Sequence, residues 1–136
     1  MKKLILGLAA LAALAVHAAD LRIEVTLPAT KQGAVLAALF DKSEGFPRGK
    51  PLQVASAQHS EGKAVVQFAG LPEGDYAVSV FLDENGNMKL DANVFGVPTE
   101  LFGFSRNARS ALGPPQFADA AFRMGPDASL QAIELK

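Results

Sequence analysis

The stretch GLPEGDYAVSV, residues 70–80, has the residues of a corner between two β-strands. Pro72 fixes the direction of the chain, and Gly74 is a residue that readily takes a positive φ angle at a turn. The segment 76–82 that follows has the alternating pattern of a half-buried strand. The stretch therefore predicts a strand, a sharp corner and a second strand, with Tyr76 near the start of the second strand.

This corner resembles the LxPGxY corner of prealbumin-like and carboxypeptidase-regulatory-like sandwiches. The resemblance implies that the hydroxyl of Tyr76 bonds back across the corner, a structural role rather than that of a ligand-binding phenol. Further apolar or alternating runs bounded by turn residues predict other strands. These runs are residues 21–27, 34–40 (AVLAALF, a central strand), 52–58, 63–68, 120–124 and 129–135. About seven short strands predict an all-β fold, a single Ig-like β-sandwich.

The first 18 residues, MKKLILGLAALAALAVHA, are organised like a secretory signal. Two lysines precede an apolar run, and Val16-His17-Ala18 fits the small-x-small pattern of a cleavage site. The run is shorter than the roughly 20 residues that a membrane span needs. We therefore expect residues 1–18 to be cleaved, and residues 19–136 to form one domain, periplasmic or secreted, without a membrane anchor.

Composition limits the function of the exported part. The whole chain has a formal net charge of −1, and Lys2 and Lys3 leave with the signal. A weakly acidic surface argues against nucleic-acid binding, which relies on a dense basic patch. The absence of cysteine excludes a thiol nucleophile and a zinc-thiolate site. We expect a monomer that binds a protein or a small-molecule ligand outside the cytoplasm.

The segment 83–119 departs from the strand pattern but is rich in aromatic residues. Loops beyond about 12–15 residues are usually functional or disordered, and disordered segments have few aromatics. We therefore predict one long ordered loop, fastened to the sandwich by its phenylalanines. These are Phe95, Phe102, Phe104 and Phe117.

The same segment carries a family resemblance. The runs GVPTE, GFSRNAR and GPPQFADAAF follow one another in that order, after ALFDKSEGFP and GLPEGDYAVSVFLDENGN. With these motifs the chain resembles the DUF2141 family of small exported bacterial proteins, and the resemblance extends over nearly all of residues 19–136. The resemblance implies an exported β-sandwich, and it carries over no catalytic residues.

The stretch DENGNMKLD, residues 83–91, is the candidate metal site. Calcium takes six to eight oxygen ligands, and loops of the D-x-[DN]-x-[DN]-G type supply them at alternating positions. Met88 stands where such loops carry glycine, and Val94 replaces their bidentate glutamate. The alternative is a polar turn, because turns select the same residues. The predicted ligands are the side chains of Asp83, Asn85, Asn87 and Asp91 and the carbonyl of Lys89.

Two further candidates involve the long loop. Ser105 is placed to cap a short helix that would carry Arg106 and Arg109 on one face, where they could hold an anionic ligand together with Glu100. Alternatively, these arginines form salt bridges to Asp91, Glu100 or Asp119.

Catalysis has less support than binding. A carboxylate-based hydrolase using Asp83, Asp91 and Glu100 is the alternative to a binding or structural module. His59 is the only histidine after the signal, and it lies in a turn beside Ser60 and Glu61, where catalysis is not expected.

Overall fold

The computed structural model describes residues 18–136, which contain eight β-strands, one 3-10 helix and one short α-helix. The strands are β1 (Ala18–Thr26), β2 (Ala34–Phe40), β3 (Gln53–Gln58), β4 (Lys63–Pro72), β5 (Gly74–Asp83), β6 (Phe102–Phe104), β7 (Phe122–Met124) and β8 (Ser129–Glu134). The 3-10 helix is Ser105–Asn107, and α1 is Phe117–Ala120. The predicted signal peptide, apart from Ala18, lies outside the described residues and stays a prediction. Within residues 18–136, no helix has the length and apolar character needed to cross a membrane.

Two sheets form a β-sandwich, which confirms the predicted fold class. The smaller sheet has the strand order β4-β1-β8, and the larger has the order β3-β2-β5-β6, with β7 pairing to β5. β1 and β8 run parallel, whereas the other pairs are antiparallel. The segment 34–40 lies between β3 and β5, so its prediction as a central strand is confirmed.

The core lies between the two sheets and follows from the alternation in the sequence. In β1, every second side chain from Ala19 to Val25 is buried, and the intervening ones are exposed. β2 and β5 send alternate side chains into the same core, and β8 contributes Ile133. Because neighbouring side chains on a strand point to opposite faces, this burial fixes the register of each strand.

The corner at residues 70–76 has the predicted tyrosine bond. The hydroxyl of Tyr76 donates to the carbonyl oxygen of Pro72 at 2.7 Å. Burial, followed by the nearby carboxylate of Asp41, raises the pKa of Tyr76 above its ordinary value, so the hydroxyl keeps its proton. The positive φ angle was expected at Gly74, and this detail is wrong. The angle occurs at Gly70, with φ 68°, where the pairing of β4 with β1 shifts register, whereas Gly74 pairs with Met124 as the first residue of β5.

A second apolar cluster covers part of the outer face of the larger sheet. It contains Ala77, Phe104 and Ala120, with Phe46, Phe102 and Phe117 packed around them. Phe46 makes edge contacts with both Phe104 and Phe117, with ring centroids 5.9 Å apart in each pair. Three of the four phenylalanines of the segment 83–119 therefore fasten it to the sandwich. The same role predicted for Phe95 is wrong, because its side chain is exposed.

Candidate functional site

Residues 91–99 form a small hairpin, here called the arm, in the connection between β5 and β6. The N–H of Thr99 donates to the carbonyl of Asp91 at 2.8 Å, and the N–H of Asn93 donates to the carbonyl of Val97 at 2.9 Å. Ala92 and Pro98 form a bridge between these two bonds. The arm therefore has a defined backbone, as expected for a connection with its own hydrogen bonds.

Asn93 fixes the tip of the arm. Its side-chain oxygen accepts the N–H groups of Phe95 at 2.9 Å and Val97 at 3.1 Å, while its carbonyl accepts the N–H of Gly96 at 3.0 Å. Gly96 has a φ of 76°, a conformation that glycine adopts readily. These bonds leave Val94 and Phe95 at the centre of a closed turn.

The tip presents apolar side chains to solvent. Val94 is 95% exposed and Phe95 is 87% exposed, and Val97 is also exposed. Met88 and Leu90, which precede the arm, are exposed as well. Single exposed apolar residues are common on protein surfaces, whereas large contiguous apolar patches are less so.

Glu100 holds the base of the arm. This buried residue uses both carboxylate oxygens on backbone N–H groups: Oε1 accepts from Asp91 at 3.0 Å and Oε2 accepts from Glu84 at 2.6 Å. Bonds from N–H groups to a carboxylate are stronger than bonds to a neutral acceptor. Glu100 thus connects the two ends of the segment 84–100 that carries the arm.

Asp83 likewise holds the backbone of the turn that precedes the arm. The residue is buried, with Oδ1 accepting the N–H of Gly86 at 3.0 Å and Oδ2 accepting the N–H of Met88 at 2.9 Å. Met88 has a φ of 61°, the left-handed conformation in which calcium loops carry glycine at this position. The turn therefore bends sharply at a methionine, held by the bond from its N–H to Asp83.

The other predicted calcium ligands form a network around Asp91. Its two carboxylate oxygens accept the side-chain amides of Asn85 at 2.5 Å and Asn87 at 2.6 Å. The oxygen of Asn87 accepts the N–H of Lys89 at 3.0 Å. The side-chain oxygens of Asp83, Asn85, Asn87 and Asp91 thus all have hydrogen-bond donors. Nowhere in residues 18–136 do three or more acidic, histidine or cysteine side chains converge as a metal site. An ion at this loop would have to displace existing bonds.

The arginines lie elsewhere than expected. The predicted helix with both arginines on one face is wrong: the helix ends after Asn107, because Arg106 and Asn107 both have positive φ angles. Arg106 donates to the carbonyl of Ala121 at 3.4 Å. Arg109 donates to the carbonyl of Phe102 at 3.0 Å and lies 4.8 Å from the centre of its ring. Among the described residues, neither arginine forms a salt bridge with Asp91, Glu100 or Asp119.

Ser105 has a role that the sequence did not indicate. It makes no cap bond to the helix and is fully buried. Its Oγ accepts the N–H of Val78 at 2.9 Å and donates to the carbonyl of Ala120 at 2.6 Å. One hydroxyl therefore joins β5 to α1.

His59 also has a structural contact. Its Nδ1 accepts the N–H of Gly62 at 3.3 Å, which leaves Nε2 to donate to the carbonyl of Lys31 at 2.7 Å. The imidazole thus connects two turns. These two bonds give the ring a place in the packing of the turns.

Comparisons with known proteins give a family and a distant structural likeness. The family model described as "Uncharacterized protein conserved in bacteria (DUF2141)" matches residues 23–131. A search of curated proteins gives no match. A solved structure of the pilus-presented adhesin Spy0125 (Cpa) is 16% identical, with a TM-score of 0.33 over 88% of this chain and 27% of the adhesin chain. A cysteine mutant of that adhesin gives 14% identity and a TM-score of 0.34, again over 88% and 27% of the two chains.

Proposed function

The chain belongs to the DUF2141 family of bacterial proteins, and we propose that it is an exported binding module that holds a protein partner through the arm. The observation that carries this proposal is the nearly complete exposure of Val94 and Phe95 at the tip of a hydrogen-bonded hairpin. Export is supported by the signal-like pattern of residues 1–18.

The arm has the properties of a binding anchor. Burying a side chain such as valine or phenylalanine contributes about 1.5–3 kcal/mol. A loop that is already ordered loses little conformational freedom when it binds, so more of this gain remains as affinity. The bonds of Asn93 and Glu100 provide that order. Aromatic residues that fill a pocket are frequent hot spots of protein interfaces.

The charges around the arm favour a protein partner over a lipid surface. Residues 84–101 contain three acidic residues, Glu84, Asp91 and Glu100, and a single basic one, Lys89. Segments that bind membrane surfaces usually combine apolar residues with several lysines or arginines, which are attracted to anionic lipids. The apolar tip of the arm therefore fits a hydrophobic pocket on a protein better than a membrane.

Photo-crosslinking in cells tests the arm as a binding surface. With p-benzoyl-phenylalanine in place of Phe95, we expect a discrete adduct with one partner in the extracytoplasmic fraction. A second Val94→Ser change should reduce this adduct at least several-fold, because it removes part of the apolar contact. The matched control places the crosslinker at Leu112, which is 97% exposed but lies outside the arm.

The outcomes separate the two parts of the proposal. Adducts of equal yield and pattern from Phe95 and Leu112, or no discrete adduct from Phe95, would contradict binding through the arm. An adduct found only in the cytoplasmic fraction would contradict export while leaving the arm as the contact.

We further propose that calcium binds weakly at the turn formed by residues 83–91. The left-handed Met88 and its bond to Asp83 support this proposal, since a calcium loop of this type bends at the same position. Only Asp83 and Asp91 supply carboxylates, and the residue at the place of the bidentate glutamate is Val94, at the tip of the arm. Because the loop has only two carboxylates and its oxygens already accept hydrogen bonds, we expect a calcium dissociation constant of about 10⁻⁴–10⁻³ M, as in extracellular modules.

Thermal unfolding with calcium or with chelator tests this site. Calcium at about five times its dissociation constant should stabilise the protein by about 1 kcal/mol, which corresponds to a midpoint shift of several degrees in a domain of this size. Asp91→Ala should abolish the shift, and magnesium should give a smaller one. An equal midpoint in calcium and chelator would remove calcium from the proposal and leave the arm unaffected.

The contacts within residues 18–136 do not favour the hydrolase alternative. Asp83 and Glu100 each use both oxygens to hold backbone N–H groups. Such carboxylates stabilise the loop, whereas a general base needs a carboxylate oxygen directed at the substrate.

A further inference from the structure

The outer edge of β3 lacks a pairing strand. β3 is the terminal strand of the larger sheet and pairs only with β2. Within the described chain, its backbone makes no hydrogen bonds besides those of this ladder. An edge of this kind offers a row of N–H and C=O groups to another strand.

The register identifies the groups that point outward. The carbonyl of Leu39 accepts a bond from the N–H of Leu52, so Leu39 directs its backbone groups at β3. Because these groups alternate along a strand, Val35 and Ala37 do the same. The β3 residues opposite these three are Gln53, Ala55 and Ala57. The residues between them therefore direct their N–H and C=O groups away from the sheet, and these are Val54, Ser56 and Gln58.

This edge lacks the features by which natural proteins protect exposed strands. Residues 51–58 contain no charged side chain, and the only proline, Pro51, precedes the strand. Val54 is 68% exposed beside the half-buried Ala38. Charges, bulges, prolines or short length normally prevent pairing between edges.

The other edges of the two sheets are better protected. β6 has only three residues, and the N–H of Glu134 on β8 is bonded to the side chain of Asn107 at 3.0 Å. β4 begins at Lys63, ends at Pro72 and pairs with β1 through a bulge. Among these edges, β3 is the one best suited to accept another strand.

We propose that β3 pairs with β3 of a second copy of this chain, antiparallel about a two-fold axis at Ser56. In this register Val54 lies opposite Gln58, and Ala55 lies opposite Ala57. The outward groups of the two strands would then make up to about six hydrogen bonds. Such an isologous contact uses the same surface on both copies.

The composition of the strand favours a second copy as the occupant. Two copies of a charged strand would place like charges opposite each other, which disfavours self-pairing. QVASAQ, residues 53–58, is neutral and carries small side chains at its centre. Near the two-fold axis, the two copies therefore bring neither like charges nor large side chains into contact. The pairing would also bring the exposed Val54 of each copy next to the partner strand. The monomer expected from the sequence is the competing outcome.

Sedimentation of the purified protein across about a hundredfold range of concentration tests the dimer. We expect the mass to rise toward that of a dimer. Ser56→Pro removes one outward N–H while the ladder to β2 keeps all its bonds, and Val54→Lys places a charge at an exposed position. Each should weaken the dimer at least tenfold. The matched control, Val65→Lys on an exposed position of β4, should leave it unchanged.

Amide hydrogen exchange provides a second measurement with residue resolution. At concentrations where the dimer forms, exchange should slow at Val54, Ser56 and Gln58. A sedimentation mass that stays that of the monomer at every concentration would overturn the proposal. So would a dimer that persists in Ser56→Pro and Val54→Lys but is lost in Phe95→Ser, because it would then form through the arm. The arm and the edge are therefore tested separately.

Discussion

Replacing Asp83 by alanine is expected to lower the free energy of unfolding by about 3 kcal/mol. The carboxylate is buried and accepts two backbone N–H groups, from Gly86 and Met88. A hydrogen bond to a charged group contributes about 1.5–3 kcal/mol, and Asp83→Ala removes two of them. The left-handed Met88 should then relax, since the bond to Asp83 is what holds its unfavourable conformation. Chemical denaturation measures the loss of stability.

Two variants separate the role of the carboxylate from that of its volume. Asp83→Asn keeps one acceptor oxygen and should lose about half as much stability as Asp83→Ala. Glu84→Ala changes the adjacent, more exposed carboxylate and should cost well under 1 kcal/mol. If Asp83→Ala unfolded at the same denaturant concentration as the unaltered protein, Asp83 would not be the fastener of the turn. Faster proteolysis within residues 84–99 should accompany the loss of stability, because the arm is then less firmly held.

Ser105→Ala is expected to have an effect of similar size, about 2–4 kcal/mol, at a different place. The hydroxyl is completely buried and bonds both the N–H of Val78 and the carbonyl of Ala120. Alanine leaves a donor and an acceptor without partners in a site closed to water, and each costs about 1–3 kcal/mol. Equilibrium unfolding measures this change as well, and the amide of Val78 should exchange faster than in the unaltered protein.

Ser110→Ala is the control for Ser105→Ala. Ser110 is exposed, and its hydroxyl accepts only a long bond of 3.4 Å from the N–H of Leu112. Its removal should change stability by less than about 0.5 kcal/mol, as for most surface substitutions. Equal effects at the two serines would show that the buried bonds of Ser105 contribute little.

The strands could be predicted from the sequence because their side chains alternate between core and solvent. In β1, each apolar residue from Leu21 to Val25 is buried, so the period of two in the sequence is enough to predict both the strand and its buried face. The bond of Tyr76 was implied by the family resemblance of its corner. The positive φ angle was assigned to the wrong glycine, because it arises at Gly70 from the register shift between β4 and β1, a pairing with residues about 50 positions away.

The connection between β5 and β6 could be predicted only in part. The sequence alone does not distinguish one phenylalanine of this segment from another. Phe104 packs on the sheet and Phe95 is exposed because of the tertiary fold. The predicted helix at Ser105 failed for a related reason. Its serine is used by Val78 and Ala120, which lie 27 and 15 positions away in the sequence, and no local pattern contains such contacts.

The roles of the carboxylates show the same limit. The spacing in DENGNMKLD brought Asp83, Asn85, Asn87 and Asp91 into one turn, as the sequence suggested. The partner of that turn, Glu100, is fixed by bonds to Glu84 and Asp91 across the connection. The sequence identified these oxygens as candidates but could not show which N–H groups already use them.

The parallel pairing of β1 with β8 has a consequence for how the protein folds. It joins Leu21 to Ser129, about a hundred residues apart, so the smaller sheet forms only when a loop of that length closes. The entropy of closing such a loop has to be lost before its contacts form, which makes folding slow relative to helical proteins of the same length. β1 can pair with β4 early, but its other edge has no native neighbour until β8 has been synthesised. During that interval the unpaired edge of β1 is open to pairing with another chain.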